Sequence, residues 1–202
     1  MRSTFFGVLW LCVVVVLEFS VVFFSFFDLT ILLPIPNIPR GTPDSKLLED
    51  LGKAGLRVLF AHKNKISQVP PAIGHLANVE ILSLASNKIT SLPSEIGGLN
   101  NLQELYLSGN AGLRSIPPSC QNWSKLRALY CQGCVKLKQL PLQLAFCQNL
   151  RDLNVLSGKK KQSCIVYQSI LESVPGLRLR GGKVKKNKKG KGAIGGAPMI
   201  PK

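Results

Sequence analysis

Acidic residues and histidines are scarce in this 202-residue chain, which has 10 Asp and Glu against 26 Lys and Arg and only two histidines, His62 and His75. The sequence also lacks a Ser/His/Asp spacing of the kind that activates a nucleophile, and it lacks a loop that would cradle a phosphate. These absences argue against an enzyme. We therefore expect no catalytic residues and no cofactor.

Metal-binding patterns are also scarce, although the chain contains six cysteines. Cys131 and Cys134 form one CxxC pair, but there is no second pair and no histidine nearby to complete a zinc site. We expect this pair to bind no metal and to have no redox function.

The chain combines a net charge of +16 with 46% hydrophobic residues, a pairing unusual for one uniform soluble domain. The two excesses lie in different places. Phe5 to Phe27 is almost wholly apolar, and residues 178–202 contain nine basic residues and no acidic one. The composition therefore predicts separate N-terminal, central and C-terminal parts.

The N-terminal segment, residues 1–33, predicts an apolar helix that serves as a signal anchor or transmembrane segment. Glu18 is the one charged residue between Phe5 and Phe27. These 23 residues are enough to cross a hydrocarbon layer about 30 Å thick as a helix. A cleaved signal peptide and a wrongly translated non-coding stretch are the alternatives. Residues 34–43 contain four prolines and predict an extended linker.

The centre of the chain is repetitive, with units of 23 or 24 residues. In the first unit, apolar residues recur around an asparagine and a Val-Pro pair. The units begin at Leu56, Val79, Leu102, Leu126 and Leu150, and the last one loses the pattern after Val155.

This pattern, LxxLxLxxNxIxxLPxxIGxL, resembles the leucine-rich repeat family, and in particular its small intracellular members such as the plant Ras-group and Scribble-type proteins. The resemblance covers about Leu47 to Leu156. It implies an α/β solenoid in which a short arc carries a parallel β-sheet on its concave face, within a domain of residues 44–177. We expect a capping helix that starts near Ser45 before the first strand, and a helix or degenerate repeat over residues 164–174 after the last one.

A protein-binding surface is predicted on the concave sheet, because the third, fifth and seventh positions of each LxxLxLxxN segment project from it. The predicted binding residues are Val58, Phe60, His62, Ile81, Ser83, Glu104, Tyr106, Ser108, Tyr130, Gln132, Asp152 and Asn154. This set is aromatic and lightly charged, which is typical of a protein-binding hot spot. We expect the basic charge to lie away from this face, which disfavours a nucleic acid in the arc.

The C-terminal residues 178–202 predict a disordered basic tail, because the lysine-rich segment passes into Gly-, Ala- and Pro-rich sequence. Lys183, Lys185, Lys186, Lys188, Lys189 and Lys191 are candidates for binding an anionic partner, either RNA or an anionic membrane surface. The segment Leu177 to Gly182, LRLRGG, resembles the C-terminus of ubiquitin, which would imply a cleavage site after Gly182.

Cellular location is predicted from the cysteines and from one sequon. Cys120, Cys131 and Cys147 replace core aliphatic residues, as reduced thiols do, whereas the sequon at Asn122 favours the secretory lumen. We predict a membrane-attached protein whose repeats and tail face the cytosol; the alternative is the cytoplasm or nucleus. The predicted function is a non-enzymatic scaffold that binds a protein partner. The alternative is a nucleic-acid- or ribosome-associated factor that uses its basic tail.

Overall fold

The computed structural model describes residues 45–156 and 164–186 in full and, before them, the backbone of three strands. Strands β1 (Val13–Leu17) and β2 (Ser20–Phe24) pair antiparallel. Strand β3 (Thr30–Leu32) pairs in parallel with the first strand of the repeats. The linker predicted at residues 34–43 lies outside the described residues.

The described part of the N-terminal segment is therefore strand where the sequence predicts an apolar helix. The composition explains the difference, because β1 consists of four valines and a leucine, and β2 contains two more valines and two phenylalanines. β-Branched and aromatic residues favour strands. Among the described residues, none of the helices is long and apolar enough to span a bilayer.

The repeat domain begins with helix α1 (Ser45–Lys53), which lies where the sequence predicts a capping helix. Its apolar side chains Leu48 and Leu51 are buried against the first repeat. The helix thereby covers apolar side chains of the first repeat that would otherwise be open to solvent.

Each repeat then contributes one short strand and, in the first four units, one 3₁₀ helix. The strands are β4 (Val58–Phe60), β5 (Ile81–Ser83), β6 (Glu104–Tyr106), β7 (Ala128–Tyr130) and β8 (Asp152–Asn154). The 3₁₀ helices are Pro71–His75, Ser94–Gly98, Pro118–Asn122 and Leu142–Phe146. Each 3₁₀ helix begins directly after the proline of the LP pair in the repeat pattern. Neighbouring 3₁₀ helices pack side by side.

The core is a stack of equivalent side chains, one layer per repeat. The central leucine of each strand, from Leu59 to Leu153, is at most 2% exposed. Burying a leucine stabilises the fold by about 2 kcal/mol, so these layers supply much of the driving force for the solenoid. Trp123 replaces a leucine in one layer, and its buried Nε1 donates a hydrogen bond to the carbonyl of Ile96 over 3.0 Å.

The C-terminal end of the domain differs from the prediction. Strand β9 (Ile165–Tyr167) and helix α2 (Gln168–Ser173) form a degenerate last repeat. This is one of the two alternatives predicted for residues 164–174. Two more strands follow, β10 (Arg178–Arg180) and β11 (Lys183–Lys185). The predicted domain boundary at residue 177 is therefore too early, because ordered structure continues through the first part of the predicted tail.

The added strands pair with earlier ones in two sheets. The main sheet has the order β10-β8-β7-β6-β5-β4-β3, and its neighbours are parallel, while β11 pairs with β9 in a separate parallel sheet. Gly181 and Gly182 connect β10 to β11 at φ of +79° and +84°. The LRLRGG segment is thus an integral strand and turn of the solenoid, and glycine is required there because other residues are strained at such φ values.

Candidate protein-binding surface

The sheet presents three columns of side chains, which we call the concave face. In the fifth-position column, Phe60, Ser83, Tyr106, Tyr130, Asn154 and Arg180 lie on successive strands in register. In the third-position column, the successive residues are Val58, Ile81, Glu104, Ala128, Asp152 and Arg178. The seventh position supplies His62, Ala85, Ser108, Gln132 and Leu156 just beyond the strands.

The predicted residues share this face, but they do not share the same exposure. Ser83 is only 6% exposed and Asn154 only 9%. The side chain of Asn154 also accepts a hydrogen bond from the amide of Leu156. These two residues offer little surface to a partner, whereas the tyrosines beside them are only partly buried.

The centre of the concave face is a pair of stacked tyrosines. The rings of Tyr106 and Tyr130 are 4.7 Å apart between centroids and inclined by 14°. The parallel register places them on adjacent strands, and strand spacing of about 4.8 Å matches ring stacking. In the described part of the chain, the hydroxyl of Tyr130 has no hydrogen-bond partner.

Glu104 holds Tyr106 in place. The hydroxyl of Tyr106 donates a hydrogen bond of 2.5 Å to a carboxylate oxygen of Glu104. Partial burial, followed by this hydrogen bond and the negative charge of Glu104, raises the pKa of Tyr106 above its usual value. The ring therefore stays neutral and fixed, which lowers the entropy cost of using it as a contact.

A second aromatic contact lies at the N-terminal end of the concave face. Phe60 and His62 meet edge to face, with ring centroids 6.1 Å apart and planes at 78°. Just before β4, Arg57 donates two hydrogen bonds to one carboxylate oxygen of Glu80, over 2.9 and 2.7 Å. This end of the sheet therefore has an aromatic pair on its concave face and an internally balanced ion pair where β4 begins.

The C-terminal end carries two residues that the sequence analysis missed, Arg178 and Arg180. Both flank the inward-facing Leu179 on β10, so their side chains project from the concave face. The expectation that the basic charge lies away from this face is therefore wrong for these two. The alternation Arg178-Leu179-Arg180 could have revealed them, because it places one apolar residue between two polar ones, as Leu153 lies between Asp152 and Asn154.

These arginines are weakly engaged within the protein. Arg178 lies 3.8 Å from a carboxylate oxygen of Asp152, and its side chain is 74% exposed. The guanidinium of Arg180 has no ion-pair or hydrogen-bond partner within residues 45–156 and 164–186. Both guanidinium groups therefore remain available to a ligand.

The predicted tail lysines are divided. Lys183 and Lys185 lie on β11 and Lys186 follows it, and all three are exposed; β11 belongs to the separate sheet that it forms with β9. Lys188, Lys189 and Lys191 lie outside the described residues. The described range also contains no group of three His, Cys, Asp or Glu residues that could hold a metal ion.

Comparisons with known proteins give the same fold. Leucine-rich repeat family models match residues 54–111 and 101–123. No curated protein matches the chain significantly.

Among solved structures, internalin C2 from Listeria monocytogenes is similar, with 21% identity, a TM-score of 0.54 and coverage of 78% of this chain and 63% of that one. The leucine-rich repeat ectodomain of the receptor kinase SOBIR1 from Arabidopsis thaliana matches with 20% identity and a TM-score of 0.46, covering 64% of this chain and 73% of that one. The present chain spans less than two thirds of the internalin chain. The repeats, the parallel sheet and the family-model matches identify residues 54–123 of the chain as leucine-rich repeats.

Proposed function

We propose that this protein is a non-enzymatic interaction module that binds a protein partner on its concave face. Leucine-rich repeat domains generally mediate protein–protein interaction, and the stacked pair Tyr106 and Tyr130 is the observation that supports such a role here. Large aromatic side chains that are already fixed bury much apolar area at a low entropy cost. Burying one such ring in an interface contributes about 2 kcal/mol.

The test replaces Tyr106 and Tyr130 together by alanine and measures capture of partners from cell lysate by quantitative mass spectrometry. We expect captured partners to fall at least about tenfold, because two hot-spot rings are removed. Tyr167→Ala is the matched control, since Tyr167 is a partly buried tyrosine on β9, away from the concave face. Equal capture by the double variant and wild type, with unchanged melting, would contradict the proposal.

A second candidate function is binding of RNA through the basic C-terminal residues. It is supported by Lys183, Lys185 and Lys186, which are fully displayed to solvent at the end of the ordered domain. Replacing all three by glutamine leaves the backbone pairing of β11 in place. RNA association that weakens in this variant and falls steeply with salt would support the candidate, and absence of RNA binding by the wild type at 150 mM salt would exclude it.

For location, we propose that the repeats face the cytosol and that the N-terminal segment attaches the protein to a membrane. Cys120, Cys131 and Cys147 are buried as apolar core residues, which suits a reducing compartment. Asn122 is exposed, so its sequon would be accessible to glycosylation in the lumen. A glycosidase-sensitive mass that disappears in Asn122→Gln would reverse this orientation.

A further inference from the structure

The C-terminal half of the concave face combines an apolar platform with exposed positive charge that is at most weakly paired within the protein. Along the fifth-position column, the stacked Tyr106 and Tyr130 are followed by the small, buried Asn154 and then by Arg180. Arg178 lies beside Arg180 in the third-position column. Arg127, at the border of the face, is exposed and has no side-chain partner in the described part of the chain.

We propose that this surface binds an extended acidic segment of a protein partner, with an apolar residue on the tyrosines and an Asp or Glu on Arg180. The proposal rests on the proposed protein-binding function and specifies the partner's chemistry. A guanidinium group donates two parallel hydrogen bonds to a carboxylate, which gives both attraction and orientation. Charge complementarity of this kind speeds encounter and excludes basic partners.

The spacing of the column limits the sequence of the partner. Tyr130 and Arg180 are two strands apart, which corresponds to about 10 Å at the usual strand spacing. An extended peptide advances about 3.3 Å per residue, so its acidic residue would follow or precede its apolar residue by two to four positions.

A polyanion such as RNA fits this surface less well. Glu104 and Asp152 lie in the column beside the tyrosines and arginines, and their carboxylates repel a phosphate backbone. A single carboxylate placed at Arg180 avoids them. In addition, Tyr106 and Tyr130 stack on each other, so the ring faces turned toward one another are closed to a nucleic-acid base.

The test uses the full chain to select from a display library of random 12-residue peptides. We expect enriched peptides to contain an aromatic or aliphatic residue with an Asp or Glu two to four positions away. Their Kd, measured by fluorescence anisotropy, should rise about tenfold in the Arg178→Gln/Arg180→Gln variant, because the charge-assisted hydrogen bonds are lost. The matched control is Arg114→Gln, an exposed arginine outside the three columns, which should leave the Kd unchanged.

The outcomes separate this inference from the proposed function. Selected peptides that lose binding in the Tyr106→Ala/Tyr130→Ala variant but lack acidic residues would overturn the acidic preference and leave concave-face binding intact. If the Kd of acidic peptides is unchanged by the arginine substitutions, the acidic side chain binds elsewhere, and this result would also overturn the inference. If a 12-nucleotide single-stranded RNA binds at 150 mM salt and its binding is lost in the arginine variant, the ligand of this surface is RNA and the inference of a peptide ligand is wrong.

Discussion

At the residue scale, the asparagine position of each repeat shows how one side chain serves several backbone groups. The Nδ2 group of Asn110 donates to the carbonyls of Leu84 and Leu107 over 3.0 and 2.8 Å, and its Oδ1 accepts from the amide of Ile89 over 3.1 Å. Asn110 is fully buried, so water cannot replace these bonds. In the next repeat, Cys134 offers only its thiol, which donates to the carbonyl of Leu107 over 3.2 Å.

We therefore predict that Asn110→Ala destabilises the domain by about 3 kcal/mol, because buried backbone groups lose their partners. Urea unfolding monitored by circular dichroism measures this change. Cys134→Ala is the comparison and should lower the free energy of unfolding by less, since the substitution removes one hydrogen bond and leaves a small cavity. Equal losses in the two variants would show that the asparagine network contributes no more than the cysteine.

The cysteines are a second residue-scale feature, and their placement was predicted correctly from the repeats. Cys120 and Cys147 occupy core positions where other repeats have isoleucine, leucine or tryptophan, and each is 0% exposed. Burial raises the pKa of both thiols to about 12, from an ordinary value of 9.0. The unfolded chain therefore releases these protons at a lower pH than the folded chain does.

This difference predicts that the domain loses stability as the pH rises above 9. The contribution of the thiols to the free energy of unfolding is fully present below pH 9, where both the folded and the unfolded chain hold the protons. By about pH 10 it has declined by about 1 kcal/mol per buried thiol. Urea midpoints measured in the presence of a phosphine reductant should fall less in Cys120→Ala/Cys147→Ala than in wild type. Parallel declines in the two proteins would refute a contribution from these thiols.

At the element scale, the glycines of the repeat pattern set the distance between neighbouring 3₁₀ helices. A Cβ atom on Gly97 would lie 2.6 Å from the Cβ of Ser119 and 2.7 Å from its carbonyl oxygen. Ser119 is itself held by a hydrogen bond from its hydroxyl to the carbonyl of Ser94. The 3₁₀ helices at Ser94–Gly98 and Pro118–Asn122 can pack this closely only because position 97 has no side chain.

Gly97→Ala should accordingly cost about 2 kcal/mol, the usual penalty of overpacking a close contact. Gly112→Ala is the comparison and should cost less, because its added Cβ would meet the Thr90 side chain at 3.2 Å and the Ile89 carbonyl oxygen at 3.3 Å, both longer than the contacts at position 97. Thermal melting of both variants tests the prediction. If Gly97→Ala melted at the same temperature as wild type, the two 3₁₀ helices could move apart without loss of stability, and the prediction would be wrong.

Elements with a repeated pattern, and the capping helix α1 before them, could be predicted from the sequence, whereas the N-terminal strands and the strands β10 and β11 could not. The strands from β4 to β8 follow from the leucine spacing, and so does the concave position of Tyr106 and Tyr130. Stacking of the two rings could not be predicted, because it depends on side-chain rotamers. Arg178 and Arg180 were missed because the composition of the tail, rich in lysine and glycine, obscured a short strand whose only pattern is the alternation around Leu179.

At the scale of the whole molecule, the solenoid is a one-dimensional stack, and its stability depends on covers at both ends. Helix α1 covers the first repeat, while the C-terminal end is covered by β9, α2 and the pair β10 and β11. Leu153 of β8 and Val166 of β9 are both fully buried at this end of the domain. Without β10, the last full strand, β8, would present unpaired backbone N–H and C=O groups at its edge, and the fraying of one repeat would expose the next.

The final prediction is that a chain ending at residue 186 melts as the full chain does, whereas a chain ending at residue 177 melts several degrees lower. The shorter chain loses β10 and the side chain of Leu179, which packs against the core, so neighbouring apolar layers become exposed. Point variants exclude a simple effect of chain length. Leu179→Ala should lower the Tm in the full chain, whereas Val184→Ala should not, because Val184 is 47% exposed. Identical melting of the two truncated chains would restore residue 177 as the end of the domain and remove Arg178 and Arg180 from the binding surface.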